Sequence, residues 1–391
     1  MASIVLGTAI LEPIPSAGPG RVPLRRRASA PELANLNAIY GNPEEPYQVG
    51  NSIRLQHQGS SGRQNRTINA RIVRVFAPFS MAAVMVVRVF EPTVDLEGEF
   101  VLKVYDQRYT GELRKQYGVQ SWSRTRDMKL ERRRWSKQLV KFFYKIMADD
   151  YIYAGEDEGD TSNDGHEDGD DNQDEEDAGD ELFFQTICLK MYRAELEVYR
   201  QARQHGIDGT DVPRFIGSVR IPTTYRSKNC CAESANIKGV PGILIQYLPG
   251  FPLQALYEKE CPPPPRSEWQ SLVDEGVRIV HYMTTNMDIR NDDCCPRNTV
   301  VHWDPVTQRW KCKLIDFGHC AIRSKGVSDW EWRERQAWQD EEGSIGRHME
   351  VFLRERKKYD YVYEKSQYSL DLSEDFLKRT PGELEKGMNA S

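Results

Sequence analysis

Two carboxylates and one amide stand close together in the sequence, in loops that follow apolar runs. Asn298 lies five residues after Asp293, and Asp316 follows Leu314–Ile315. Carboxylate and amide oxygens hold Mg²⁺ beside nucleotide phosphates, and a further carboxylate can accept the proton of an attacking hydroxyl. The grouping predicts a site for Mg²⁺ and a triphosphate, with Asp293 as base and with Asn298 and Asp316 as metal ligands.

A hairpin is predicted between these side chains. Residues 299–303 alternate apolar and polar side chains, Asp304–Pro305 begins a turn, and Trp310–Ile315 returns as a second strand. The tripeptide Asp316-Phe317-Gly318 is frequent by chance. Its specificity comes from its occurrence together with Asp293 and Asn298 at this distance.

Three short strands are predicted upstream, at residues 68–75, 81–90 and 100–105, and they indicate a small antiparallel sheet. Lys103 lies in the third strand between apolar neighbours. A helix predicted over residues 183–204 has apolar side chains at three- and four-residue steps, so one of its faces is apolar. This helix carries Glu195 and Glu197, and either carboxylate is a candidate ion-pair partner for Lys103.

An apolar strand over residues 242–248 ends at Pro249–Gly250, as expected of a hinge between two lobes. A helix predicted over residues 267–284 leads directly into the Asp293 loop. In chain order, Lys103, Glu195, the hinge, Asp293 with Asn298, and Asp316 resemble the protein-kinase-like superfamily, particularly divergent kinase-domain proteins of fungal type. The resemblance covers about residues 65–355.

This resemblance implies an α+β fold of two lobes, a small β-rich N-lobe over residues 51–248 and a shortened helical C-lobe over residues 249–370. Residues 1–50 are then a disordered leader and residues 371–391 a C-terminal tail. The resemblance assigns Lys103 to the nucleotide phosphates, with Glu195 preferred as its partner because E-x-x-x-Y resembles the corresponding kinase helix. Adenine is expected to bind the backbone of the hinge residues Gln246, Tyr247 and Leu248.

The chain also departs from the kinase pattern. No G-x-G-x-x-G occurs at residues 76–80, where a kinase has its phosphate loop. Cys295 stands where kinases have a lysine that neutralises the transferring phosphoryl group, so Arg297 or Arg290 would have to replace it. Asp288-Ile289-Arg290 imitates the catalytic-loop motif, but no asparagine lies five positions after Asp288, so Asp293 is preferred as base.

Two insertions separate Lys103 from Glu195. Residues 107–150 are basic and aromatic and are predicted to be largely helical, with packing on the body favoured over nucleic-acid binding. Residues 155–181 contain 15 Asp or Glu among 27 residues and no Lys or Arg, so disorder is predicted. This acidic segment is a solvated insertion, a cover for a basic surface of the chain, or a site for a basic protein partner.

Composition restricts the class of protein further. The chain has 391 residues and no run of eighteen apolar residues, so no membrane span is predicted. Its eight cysteines show no C-x-x-C spacing, which argues against a zinc site or a disulfide framework. A reducing intracellular compartment, cytoplasmic or nuclear, is therefore expected.

The favoured function is ATP- and Mg²⁺-dependent transfer of the γ-phosphate to a hydroxyl, with protein Ser/Thr as the preferred acceptor. A small-molecule kinase stays an alternative, because small-molecule phosphotransferases of this superfamily also lack the helical peptide-binding platform of protein kinases. The second alternative is a pseudokinase that acts as an interaction scaffold, which the absent glycine loop favours and the retained polar side chains disfavour.

Overall fold

The computed structural model describes residues 46–59, 65–91, 96–133, 140–141, 143–144, 147, 169–222 and 239–377. The predictions for residues 1–45, 155–168 and 378–391 lie outside this part of the chain. The fold is mixed α/β, in agreement with the predicted α+β class. The chain divides into two compact units, Met1–Tyr192 with Phe215–Tyr247, and Arg193–Arg214 with Leu248–Ser391.

The first unit contains a closed antiparallel barrel in which the strands follow the order β1-β2-β3-β4-β6-β5. Its strands are β1 (Ser52–Gly59), β2 (Asn65–Val75), β3 (Ala83–Glu91), β4 (Leu96–Val104), β5 (Phe215–Ile221) and β6 (Val240–Gln246). The three upstream strands predicted from alternation are present, and the strand predicted over residues 242–248 corresponds to β6. Strands β1 and β5 complete the barrel. Alternate side chains such as Leu55, Ile68, Met85 and Leu102 point inward and are fully buried, so they form the core.

A glycine allows strands β4 and β6 of this barrel to pair closely. A Cβ on Gly242 of β6 would lie 2.7 Å from the backbone oxygen of Lys103 on β4. The register places Lys103 opposite Ile243 and Phe100 opposite Gln246. Lys103 and Gln246 therefore lie on neighbouring strands of one sheet.

Between β4 and β5, the α-helices whose bounds lie within the described residues are α1 (Gly111–Gln116), α2 (Arg124–Arg133) and α3 (Gly169–Gln204). The prediction of disorder over residues 155–181 is wrong from Gly169 onward, because these residues form the first part of α3. The prediction rests on the composition of residues 155–181 alone and does not include the basic groups that α1 and α2 supply. Charged side chains are buried where they are paired, so these carboxylates can be part of an ordered, packed helix.

A cluster of buried ion pairs joins the acidic part of α3 to the basic insertion. Arg114 donates two hydrogen bonds to Glu181, of 2.8 and 2.7 Å, and the two side chains are 1% and 0% exposed. Arg126 contacts Asp177, Asp180 and Glu181 at 2.9, 2.6 and 3.3 Å. In the described residues, the acidic segment thus covers a basic surface of its own chain.

The second unit is built from short strands and helices. Its strands are β7 (Gly250–Pro252), β8 (Ile289–Asn291), β9 (Thr299–Asp304), β10 (Arg309–Leu314) and β11 (Cys320–Ile322), arranged as a β10-β9-β7 sheet and a β11-β8 pair. Its further helices are α4 (Ala255–Glu258), α5 (Trp269–Asn286), α6 (Asp329–Gln339), α7 (Glu341–Lys357) and α8 (Gln367–Leu377). The predicted helix over 267–284 corresponds to α5, whose apolar face is buried. Among the described residues, no helix is long and apolar enough to cross a membrane.

Candidate functional site

Asp293 and Asn298 are held together in the loop that follows β8. A 3₁₀ turn over Pro296–Asn298 brings Asn298 back to Asp293. The side-chain amide of Asn298 donates to Oδ2 and to the backbone oxygen of Asp293, both at 2.9 Å. Arg297 forms an ion pair with the same carboxylate, and the backbone N–H of Asp293 donates to the Asn291 side chain at 3.0 Å. The loop fixes the orientation of the Asp293 carboxylate.

Two acidic side chains of the predicted site lie within electrostatic range of each other. Burial raises the pKa of Asp293, and the charge of Asp316 raises it further. Arg297, His319 and the hydrogen bond from Asn298 act in the opposite direction. A raised pKa brings a carboxylate closer to the range in which it accepts a proton efficiently at neutral pH.

The hairpin between the two loops fixes Asp316 beside Asn298. Thr299 of β9 pairs with Leu314 of β10, and the backbone N–H of Ile315 donates to the backbone oxygen of Asn298 at 2.8 Å. Asp316 follows with φ of 66°, a left-handed conformation that few residues adopt without cost. The predicted hairpin is confirmed by these strands, and it sets the spacing of Asn298 and Asp316.

Phe317 anchors the segment after Asp316. It is fully buried, and its ring meets that of Tyr199 edge to face with centroids 5.5 Å apart. Burial raises the pKa of Tyr199, and the charges of Glu195, Asp208 and Asp316 raise it further. Glu195, which is buried on α3, and Asp316 therefore both lie near this tyrosine. In the sequence, Tyr199 is part of the apolar face of the helix and is the tyrosine of the E-x-x-x-Y pattern that begins at Glu195.

Lys103 and the hinge residues Gln246, Tyr247 and Leu248 precede the Asp293 loop in the chain. Lys103 on β4 is 6% exposed, whereas an ordinary strand lysine points to solvent. Gln246 ends β6, Tyr247 is the last residue of the first unit, and Leu248 begins the second segment of the second unit. The pairing of Lys103 with Glu195 and the binding of adenine by the hinge stay predictions.

Cys295 and the two candidate replacements for the missing lysine have different surroundings. Burial, with the nearby charge of Asp293, raises the pKa of Cys295 to about 12, so this side chain stays an uncharged thiol. Arg290 is buried and forms an ion pair with Asp292 at 2.6 Å. Arg297 contacts Asp293 directly. Arg297 is thus the better placed of the two to supply positive charge at the site.

Sequence reasoning missed Glu341, the first residue of α7. Its buried carboxylate accepts hydrogen bonds from the backbone N–H of Asn291 at 2.7 Å and from the Thr284 hydroxyl at 3.1 Å. Because the side chain of Asn291 in turn accepts a hydrogen bond from the backbone N–H of Asp293, Glu341 helps to fix the Asp293 loop. The sequence shows only an acidic pair at a helix start, which is common on exposed helices.

Glu341 should make the stability of the protein depend on pH. Burial raises its pKa to about 8, although its two hydrogen bonds oppose the shift. The unfolded chain loses this proton near the ordinary glutamate pKa while the folded chain keeps it. The free energy of unfolding therefore falls between about pH 5 and pH 8, by at most on the order of 1 kcal/mol per pH unit.

In the Glu341→Gln variant this contribution to the slope should vanish. Urea denaturation at several pH values measures it. Glu355→Gln, which removes an exposed carboxylate from the same helix, is the control and should keep the wild-type slope. Parallel pH profiles of wild type and Glu341→Gln would show that Glu341 does not titrate in this range.

Among the described residues, no group of three or more His, Cys, Asp or Glu side chains is arranged to hold a metal ion. A cation here would depend on Asp316 and on the amide oxygen of Asn298. The two hydrogen bonds from Nδ2 to Asp293 fix the amide, and Oδ1 accepts no hydrogen bond within the described part of the chain. This donor set, one carboxylate and one carbonyl oxygen, fits Mg²⁺ shared with phosphate oxygens and water.

Comparison with known proteins gives distant structural neighbours. No protein-family model matches the chain, and no curated protein does. Among solved structures, the chain is similar to WaaP in complex with acyl carrier protein, with 12% identity over 81% of this chain and 84% of that chain and a TM-score of 0.33. It is also similar to a mutant form of the PknI kinase domain of Mycobacterium tuberculosis, with 12% identity, coverage of 71% of this chain and 73% of that chain, and a TM-score of 0.30. The second of these structures is a kinase domain, and likeness at this level assigns the chain to no family.

Proposed function

We propose that the protein is an ATP- and Mg²⁺-dependent phosphotransferase of protein-kinase-like, bilobal fold that transfers the γ-phosphate to a hydroxyl, with Ser or Thr of a protein as acceptor. The observation that carries this proposal is the grouping of Asp293, Asn298 and Asp316 in one loop cluster. Asn298 bonds to Asp293, the hairpin base joins Asn298 to the Asp316 segment, and Asp316 affects the pKa of Asp293.

Each side chain has a distinct part in this reaction. Asp293 accepts the proton of the acceptor hydroxyl, and its bond from Asn298 orients the carboxylate toward that proton. Asn298 and Asp316 would hold Mg²⁺, which neutralises phosphate charge when bound. Arg297 supplies the positive charge that kinases take from a lysine at the position of Cys295. Lys103, held by Glu195, and the hinge backbone of Gln246, Tyr247 and Leu248 bind the phosphates and adenine.

Nucleotide binding is tested by thermal shift with ATP, in the presence and absence of Mg²⁺. A ligand at a hundred times its Kd stabilises the folded state by about 2.7 kcal/mol, so the melting temperature of the wild type should rise. Asp316→Asn should remove the part of this rise that requires Mg²⁺. Asparagine is chosen because it tolerates the left-handed backbone of Asp316.

Asp288→Asn is the matched control, since Asp288 also has a positive φ, of 47°, and its side chain is 69% exposed. It should respond to ATP and Mg²⁺ as the wild type does. A wild type that ATP and Mg²⁺ do not stabilise would favour the scaffold, and transfer from labelled ATP to an acceptor would exclude a scaffold-only role.

A further inference from the structure

A cationic and aromatic cluster lies on α4 and α7 of the second unit. The rings of Tyr257 and Phe352 stack with centroids 5.0 Å apart, and His348 lies 4.6 Å from Phe352. The Tyr257 hydroxyl and His348 Nε2 share a hydrogen bond of 3.0 Å. The guanidinium of Arg356 lies over both Phe352 and Tyr257, at 4.6 and 5.2 Å from their centroids.

This cluster adjoins the loop that carries Asp293. The 3₁₀ turn over Pro296–Asn298 packs against α7, and so does α4. Burial lowers the pKa of His348, and the charges of Arg356 and Arg297 lower it further. The ring of His348 thus lies within the field of both arginines, and one of them contacts the proposed base.

Arg356 has hydrogen-bonding capacity that the protein does not use. Its guanidinium is exposed, and its contacts within the described residues are the two ring contacts alone. Stacking uses the face of a guanidinium and leaves the N–H donors, which point outward in its plane, for an anion. Arg356 therefore presents unused donors on the helix against which the turn of the Asp293 loop packs.

We propose that Arg356, on the support of Tyr257, His348 and Phe352, forms an acceptor subsite that binds an acidic side chain of a peptide substrate. This inference rests on the proposed function and adds the acceptor class, a Ser or Thr within an acidic stretch. A carboxylate accepts two parallel hydrogen bonds from a guanidinium, so the match is geometric as well as electrostatic. Glu258, whose charge raises the pKa of Tyr257, is the nearby acid that offsets part of the positive field.

The test measures binding separately from catalysis. A fluorescent peptide with one serine flanked by glutamates, and a matched peptide with glutamines in their place, are titrated with the full chain in the absence of ATP. Anisotropy gives both dissociation constants. The wild type should bind the glutamate peptide about tenfold more tightly, the effect of a hydrogen bond to a charged group, and the Arg356→Gln variant should lose most of that preference.

Arg354→Gln is the matched control. Arg354 lies in the same last turn of α7, is exposed, and contacts Glu350 at 3.2 Å. The Arg354→Gln variant removes one positive charge, as Arg356→Gln does, so a general loss of positive potential would affect both variants alike. The control should keep the preference for the glutamate peptide.

Three results would overturn the subsite: no binding of either peptide, equal affinity for both peptides, or an equal loss in the two variants. Transfer from labelled ATP to the glutamate peptide is measured alongside. A preference that depends on Arg356 without phosphate transfer would retain the subsite and exclude the proposed reaction, so the two proposals fail separately.

Discussion

Replacing Asp293 by asparagine should lower the turnover of phosphate transfer by roughly 10²- to 10⁴-fold, the effect of losing a general base. Asparagine has nearly the same shape, and its oxygen can still accept the hydrogen bond from Asn298. What it lacks is the basic oxygen that accepts the proton of the acceptor hydroxyl. The measurement is the steady-state rate with labelled ATP and the glutamate peptide.

The same assay on Asp288→Asn provides the control. Asp288 belongs to the Asp288-Ile289-Arg290 sequence, which imitates the catalytic-loop motif. Its carboxylate is largely exposed and lies 3.9 Å from the guanidinium of Arg323. Its loss should leave turnover within about twofold, since surface substitutions have small effects. Equal turnover of Asp293→Asn and wild type, with unchanged melting temperature, would remove Asp293 from the mechanism.

Replacing Arg114 by methionine should lower the free energy of unfolding by about 3 kcal/mol or more, because it leaves the Glu181 carboxylate buried without its main partner. Both side chains are essentially inaccessible to solvent. Arg126 still contacts Glu181, at 3.3 Å, so part of the charge stays compensated. Urea denaturation followed by circular dichroism measures the loss.

Two further variants separate the charge from other effects of the substitution. Lys115→Gln removes a neighbouring cation whose side chain is 74% exposed and pairs with Glu112, and it should cost less than about 1 kcal/mol. The double variant Arg114→Met with Glu181→Met should regain most of the lost stability, since two apolar side chains replace two buried charges. A single variant as stable as Lys115→Gln would mean that the buried pair contributes little.

Local patterns predicted the parts of the fold that depend on local contacts. Strand alternation located β2, β3 and β4, and the turn at Asp304–Pro305 located the β9–β10 hairpin, because both signals lie within a few residues. The five-residue spacing of Asp293 and Asn298 likewise falls within one short loop, where the structure finds them hydrogen-bonded.

Long-range contacts account for what the sequence did not predict. Glu341 holds Asn291 from 50 residues away, and no periodicity reports such a contact. Composition alone predicted disorder for the acidic part of α3, because its partners Arg114 and Arg126 lie more than 50 residues earlier. The cluster around Arg356 joins two segments, α4 and α7, that lie about 90 residues apart in the sequence, so no local pattern brings its charged and aromatic residues together.

The β9–β10 hairpin has one more consequence. The bonds that set the separation of Asn298 and Asp316 lie at its base, whereas its far end, around Val306, is 88% exposed. Lengthening a loop costs little additional entropy, about 0.6 kcal/mol for each doubling. A foreign sequence inserted after Val306 would therefore extend into solvent without changing the base, which makes this turn a suitable position for an internal tag.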